Sequence, residues 1–476
     1  MPFFLNDGAQ KRKGKSSNVK GSKRKTLNST HEAKGAAKRK KILDDEVILS
    51  DEEYSDDEDA YAAGSGSDGE YEDSKDKEYR QAKDLLDQLI AEGDLGDEDG
   101  DSEEEAAHAN IGEKLKEVAS IKTGTFHRKV ANKLEVVEGQ ETSHGRHRFT
   151  PLSVAFSPCA EFIFSTGKDS QVVKYSLKKK QTIGVIRREK ANGKMQDAHS
   201  GHIFAVAVSP DGKYVATGGV DCLIKIWDAS SLKFLKDLKG HLQPITSLCF
   251  RLKSTQLFSS SKDRMVKLWD LEQMGLLDTM FGHQDAVLSI DCLNKERVLS
   301  CGGQDRSVRL WKVDTESQLV LNGSHDCGSI DCVAMLNEDH FVSGSADGSL
   351  CVWSIFKKKP TTVKKCAHDR NNKQEPFWIV SVAALPFTDL VASGSNNGEL
   401  RFWRVADDYK TLLLTYTYEM KGFINQIRFS NDGNFVSCAT GQEHKFGRWW
   451  VDLEARNKIF VLPLTYGQEE IPHVNS

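Results

Sequence analysis

A histidine, a hydroxyl-bearing residue, an aspartate and a tryptophan return together along this chain, and imidazole, hydroxyl and carboxylate are the three groups of a hydrolytic triad. The sets are His199, Thr217, Asp221 and Trp227; His241, Ser259, Asp263 and Trp269; His283, Asp305 and Trp311; and His325, Ser343, Asp347 and Trp353. Nucleophilic catalysis uses one such set in one pocket, so recurrence at near-constant spacing argues for structure instead. A network of this kind is worth burying only when all its members are hydrogen-bonded, and each copy supplies the partners for the others. Cys327 and Cys332 lie close to His325, but His325 holds the same place as His241 and His283, and no second ligand pair is visible. No metal or other cofactor is therefore expected.

The elements that position these residues show in the spacing. Trp269, Trp311 and Trp353 are 42 residues apart, as are His241, His283 and His325, and Asp263, Asp305 and Asp347 precede their tryptophans by six. Between the landmarks, apolar and polar residues alternate at period two, as in AVAVSPDGKYVATGGVDCLIKIWD, with turns at SPDG or ADG. A period in the low forties with a Gly-His start and a Trp-Asp end resembles the WD40 β-propeller, whose repeats each form one four-stranded blade. The resemblance implies that the four side chains tie the loop before strand one to the tight turn before strand three. Asp169 with Tyr175, Asn397 with Trp403, and GQEHKFGRWW at 441–450 are looser copies that bring the expected count to seven blades over 141–465. Three positions depart from the pattern: Cys301 stands where Ser or Thr is expected, Asn397 replaces Asp, and Tyr175 replaces Trp. An open ring would expose strand edges, so either LEVV at 134–137 or KIFVLPL at 458–464 should complete the last blade. Between Trp353 and Trp403 the spacing widens to 50, and surplus loop length on a rigid scaffold is expected to serve binding.

The overall net charge of -5 conceals a partition. Residues 1–43 carry 13 Lys or Arg against 2 acids; residues 44–105 carry 4 against 27; the remainder carries 48 against 41. The basic arm, with KRKGK at 11–15, KRK at 23–25 and KRKK at 38–41, has too few apolar residues to offset the entropy of ordering and is expected to be disordered. It reads as a handle for a nuclear import receptor or for nucleic acid. The acidic segment embeds serines beside acids, the pattern an acidophilic kinase accepts. Within it, a helix over about 76–92 places Leu85, Leu86, Leu89 and Ile90 on one face as a partner-docking stripe, stopped by Gly93. Ile111, Leu115 and Val118 suggest a shorter second helix in the 106–140 linker, and 466–476 is a C-terminal tail. The ten cysteines form no close CxxC pair, and no apolar run approaches the ~20 residues needed to span a bilayer, so a soluble chain in a reducing compartment is expected, without membrane or small-molecule partners.

Several phrases go beyond general repeat features: PFWIVSVAAL at 376–385, TDLVASGSNNGELRFW at 388–403, GFINQIRFS at 422–430, and GQEHKFGRWW followed by EARNKIFVLPL. With FGHQDAV at 281–287, ESQLV at 316–320 and the YRQAKDLLDQL helix, they resemble the WD-repeat protein family of the U3 small nucleolar ribonucleoprotein. That resemblance implies a non-catalytic scaffold that recognises the box B/C region of U3 small nucleolar RNA. Its expected companions are the core box C/D proteins and other small-subunit processome proteins, in the nucleolus of the nucleus, during pre-ribosomal RNA processing. Binding RNA phosphates takes several Lys or Arg on one face. The candidates are Arg128, Lys129, Arg146 and Arg148 before the first blade, and Gln442, His444, Lys445 and Arg448 in the degenerate last repeat. The competing readings are a substrate receptor of a ubiquitin ligase and a histone-binding propeller. Receptors of the first kind usually carry Arg two residues past the Trp-Asp pair, where this chain has Ser230 and Glu272. No GxxxxGK[ST] loop or single-copy nucleophile motif supports an enzyme.

Overall fold

Where a strand lies in this molecule decides how its alternation is used. Ile245–Phe250 is buried along its whole length, whereas Phe234–Lys239 alternates toward solvent. The computed structural model describes residues 128–467, apart from 137–138, 140, 188–189, 192–193, 196–197, 324–327 and 372. The basic arm, the acidic segment, the helix with Leu85, Leu86, Leu89 and Ile90, the pattern of Ile111, Leu115 and Val118, and also His325 and Cys327 lie outside the described residues.

Apart from one short hairpin, the described strands form seven antiparallel sheets of the propeller type, with strands in sequence order from the innermost outward except at the outer edge of blade 7. Blade 1 spans 151–186, blade 2 203–239, blade 3 245–281, blade 4 287–322, blade 5 330–364, blade 6 379–419 and blade 7 423–466. A short hairpin, Lys190–Ala191 with Lys194–Met195, sits between blades 1 and 2. First strands of neighbouring blades touch around the whole ring, including Phe423–Phe429 of blade 7 against Pro151–Phe156 of blade 1.

Both candidate closing segments take part. Lys458–Tyr466 is the third strand of blade 7, and its outer edge is covered by two pieces from the start of the domain. Leu134–Val136 pairs through Leu134↔Tyr466 and Val136↔Leu464, and Thr142–His144 through Thr142↔Val461 and His144↔Ile459. The start of the propeller thus clasps its last strand and leaves no free edge on it. A 3-10 turn, Ala131–Lys133, precedes the clasp; Asp389 Oδ1 accepts the Val130 and Ala131 N–H groups at 2.8 and 2.9 Å.

Apolar wedges between blades supply the core. Ile245, Ile379 and Ile424 each press on a glycine of the preceding blade, where a Cβ on Gly218, Gly344 or Gly394 would lie 2.5–2.6 Å from the isoleucine methyl. A side chain there would force the blades apart. The antiparallel order also sorts the loops. Turns from strand two to three, and loops from strand four into the next blade, emerge on one face; turns from one to two and three to four emerge on the other. The first is called the network face below, because the histidines and aspartates of the repeats sit on it.

Candidate nucleic-acid interface

The recurring side chains form closed relays. In blade 3, Trp269 Nε1–H donates to Ser259 Oγ at 2.8 Å, Ser259 is 2.8 Å from His241 Nε2, and His241 Nδ1 is 2.8 Å from Asp263. An ionised carboxylate only accepts, so His241 carries its proton on Nδ1 and takes the serine hydroxyl proton at Nε2. Asp263 also accepts the Leu242 and Met265 N–H groups, both at 3.1 Å, stapling the entry loop to the turn. Burial pushes the Asp263 carboxyl up, but the bonds from His241 and the backbone outweigh it and hold it below the ordinary range. Asp221 and Asp305 behave alike. Ser259 and Thr217 are fully buried, so these hydroxyls meet no substrate.

Blade 2 repeats the relay through His199, Thr217, Asp221 and Trp227. Blade 1 does so with His147, Ser165 and Asp169, Tyr175 being buried in the tryptophan's place. In blade 5, Trp353 Nε1–H donates to Ser343 and Asp347 accepts the Ser349 N–H at 3.0 Å. Blade 4 corrects one expectation: Ser300, not Cys301, is the hydroxyl, 2.8 Å from both His283 Nε2 and Trp311 Nε1. Its hairpin is one residue longer than in blade 3, which shifts the serine out of the expected place. Cys301 is buried at the position that Gly218 and Gly344 occupy elsewhere, against the next blade.

Blade 6 holds the set that the sequence concealed. His368, inside the insertion, lies 2.7 Å from Ser393 Oγ, and Trp403 Nε1–H donates to the same oxygen at 2.8 Å. Asn397 does not serve as the carboxylate; Glu399 stands 3.9 Å from His368 Nδ1, beyond hydrogen-bond reach, and pairs with Arg401 at 2.7 Å. Part of the surplus loop therefore brings in the missing histidine.

On the network face, the long loop joining strands two and three of blade 7 meets the turn between strands two and three of blade 1. Glu443 joins them, taking Lys168 at 2.8 Å and Arg448 at 2.6 Å. Lys168 also donates to the His444 carbonyl at 2.9 Å, and its backbone N–H bonds to Thr150. The loop then reaches over the central channel: Phe446 stands 5.6 Å from Phe204 of blade 2, and Lys262 of blade 3 lies 5.1 Å from the Phe446 ring. Gly447 lets the Trp449 ring fold back onto the loop, where a Cβ would lie 2.7 Å from the ring. The His444 ring is 4.2 Å from Trp378 and 2% exposed. Burial, with Lys445 and Lys168 nearby, lowers its pKa to about 3. Trp378 donates in turn to Asp331, whose carboxyl burial raises to about 6.

The RNA-contact candidates thus fall into two groups. Arg146, Arg148 and Arg448 are exposed on the network face, with Lys445 half-buried over Phe446. Gln442 is tied down by its bond to the Ala455 carbonyl, and His444 is a buried packing residue. Arg128 and Lys129 lie on the opposite face, where Arg128 N–H bonds to the Phe387 carbonyl and Lys129 pairs with Asp407 at 2.6 Å. Sequence reasoning missed Trp378, Phe423 and Phe446 as parts of the site; their one signal was an aromatic residue placed just before an inner strand or beside the final tryptophans. Among the described residues, no group of three or more His, Cys, Asp or Glu is placed to hold a metal ion.

The WD40 family, described as WD domain, G-beta repeat, matches residues 193–228, 232–270, 274–312 and 316–354. The human U3 small nucleolar RNA-interacting protein 2 is 44% identical over 405 residues, covering 83% of this chain and 82% of its own length. The Saccharomyces cerevisiae Ribosomal RNA-processing protein 9 is 28% identical over 492 residues, covering 82% of this chain and 84% of its own. Among solved structures, one of U3-55K matches with a TM-score of 0.64 and 40% identity, over 71% of this chain and all of that one. A crystal structure of RRP9 WD40 repeats matches with the same score at 39% identity.

Proposed function

Since the chain belongs to the family of the U3 small nucleolar RNA-interacting protein 2, a family of WD40 propellers, we propose that it is a non-catalytic scaffold that binds U3 small nucleolar RNA during ribosomal RNA processing. The carrying observation is kinship at 44% identity extending over the propeller and beyond it. The geometry supports a site on the network face, where Arg146, Arg148 and Arg448 are exposed. Glu443 ties Arg448 to Lys168, whose backbone N–H bonds the Thr150 carbonyl at the end of the loop that bears Arg146 and Arg148. Cationic side chains gathered on one face attract phosphates through counterion release, with no need for a pocket. The finer reading places the box B/C region of the RNA on this face, beside the core box C/D proteins, in the nucleolus, with the basic arm 1–43 serving nuclear import.

Crosslinking in cells followed by sequencing of the attached RNA tests the reading. Predominant recovery of U3 small nucleolar RNA by the wild-type chain is expected, with loss of that recovery in Arg146→Glu/Arg148→Glu/Arg448→Glu at unchanged abundance. Background RNA alone, together with a ubiquitin-ligase adaptor or histone as the main copurifying protein, would overturn it.

A further inference from the structure

Five blade tryptophans, Trp227, Trp269, Trp311, Trp353 and Trp403, are buried, yet Trp449 and Trp450 are 68% and 58% exposed, with Val451 and Leu453 beside them. Adjacent indoles left in water, with further apolar side chains exposed beside them, mark a contact site. They form one side of a cleft completed by Trp378, Phe423 and His444, so its walls are rings. His444 Nδ1 accepts the Phe446 N–H at 3.3 Å, which places the ring's own proton on Nε2. That buried Nε2–H has no partner among the described residues.

Charge around the cleft selects its guest. Lys168, Lys262, Lys445 and Arg448 surround it; of the two neighbouring carboxylates, Glu443 already holds Lys168 and Arg448, and Asp331 is buried behind Trp378, whose indole N–H it accepts. A methylated lysine or other cation, the usual occupant of an aromatic cage, would meet like charge there. A flat, uncharged ring on an anionic backbone meets the opposite: aromatic faces for the ring and cations for the phosphates. We propose that this cleft holds an unpaired nucleobase of the bound RNA, stacked on Trp449 and Trp450, with flanking phosphates against Arg146, Arg148 and Arg448. The inference rests on the RNA-binding reading and narrows it to a single-stranded nucleotide. Swinging the exposed indoles outward gives the base edge access to His444, whose Nε2–H asks for an acceptor such as a ring nitrogen or a carbonyl oxygen.

The test uses the full chain, a fluorescein-labelled eight-nucleotide oligouridylate and, as control, a fully paired RNA stem. Stacking should quench indole fluorescence, and Trp449→Ala/Trp450→Ala should weaken oligouridylate binding by about 5- to 100-fold. The salt dependence and the affinity for the paired stem should stay as in wild type, because the phosphate contacts remain. Exposed indoles contribute little packing, and an unchanged melting temperature confirms folding. Wild-type binding that the double variant leaves unaltered, or loses equally on the paired stem, overturns the inference while the function stands, and assigns the cleft to a protein side chain. Failure of the wild-type chain to retain any RNA sinks the function and the inference together.

Discussion

The hydroxyl at the centre of the relay in blades 2, 3, 4 and 6 serves two neighbours at once, and that sharing sets the cost of removing it. Ser259→Ala strips the acceptor from Trp269 Nε1–H and leaves His241 Nε2 facing an apolar wall. Each orphaned buried group costs about 1–3 kcal/mol, so urea denaturation of this variant should show a loss of about 2–5 kcal/mol. A change below 1 kcal/mol would mean that the relay is ornamental. Titration behaviour belongs to the same scale. Asp221, Asp263 and Asp305 titrate below their ordinary value of 3.8, so their contribution is present above that value and fades as pH falls through the folded one. Histidines buried without an ionic partner act earlier. His144, stacked 4.4 Å from Tyr175, has its pKa lowered by burial from 6.5 to about 4, so between these values the unfolded chain takes up a proton that the folded chain refuses. Stability should therefore decline from pH 6.5 toward 4, His144 accounting for about 3 kcal/mol at the acid end. Melting curves of wild type and His144→Phe across that range check this, and equal acid sensitivity of the two removes His144 as a cause.

At the level of strands and loops, the clasp on blade 7 concentrates the stability of the ring at one join. Asp389 fixes the start of the clasp through two backbone N–H groups, and Asp389→Ala leaves both without their acceptor. Limited proteolysis should then cut within 128–140 faster than in wild type, while cuts elsewhere stay slow; uniform digestion would show that the clasp does not open by itself. Strand positions were legible in the sequence because inner and outer faces impose period two and because each blade repeats the same partners. Compensating shifts were not. His283 to Ser300 is 17 residues where His241 to Ser259 is 18, and the hairpin after Ser300 restores the register, so the constant 42-residue tryptophan spacing hides the slip. His368 sits 25 residues from Ser393, and the surplus disguised it as loop. The cleft was least legible of all, since Trp378, Phe423 and Trp449 come from separate segments and meet only once blades 6 and 7 pack together.

At the scale of the whole propeller, strand order decides which loops lie on which face, and the residues in those loops decide what each face can bind. Loops that leave on the network face carry Arg146, Arg148, Lys168, Lys262 and Arg448 together with the exposed indoles, whereas the opposite face carries the anchored Arg128 and Lys129 and the turn with lysines 357–359. Bulk composition cannot distinguish these faces, because both contribute to the same net charge. Binding measured against salt can. Every phosphate neutralised adds about 0.7–0.9 to the slope of log affinity against log salt, so Arg146→Glu/Arg148→Glu/Arg448→Glu should flatten the slope by about 2–3. Lys357→Glu/Lys358→Glu/Lys359→Glu introduces an equal change in net charge on the far side of a ring wider than a Debye length of about 8 Å, and should leave the slope as it was. Equal flattening by both triple variants would show that RNA follows total charge and ignores the face, and the assignment of the binding surface to the network side would fall with it.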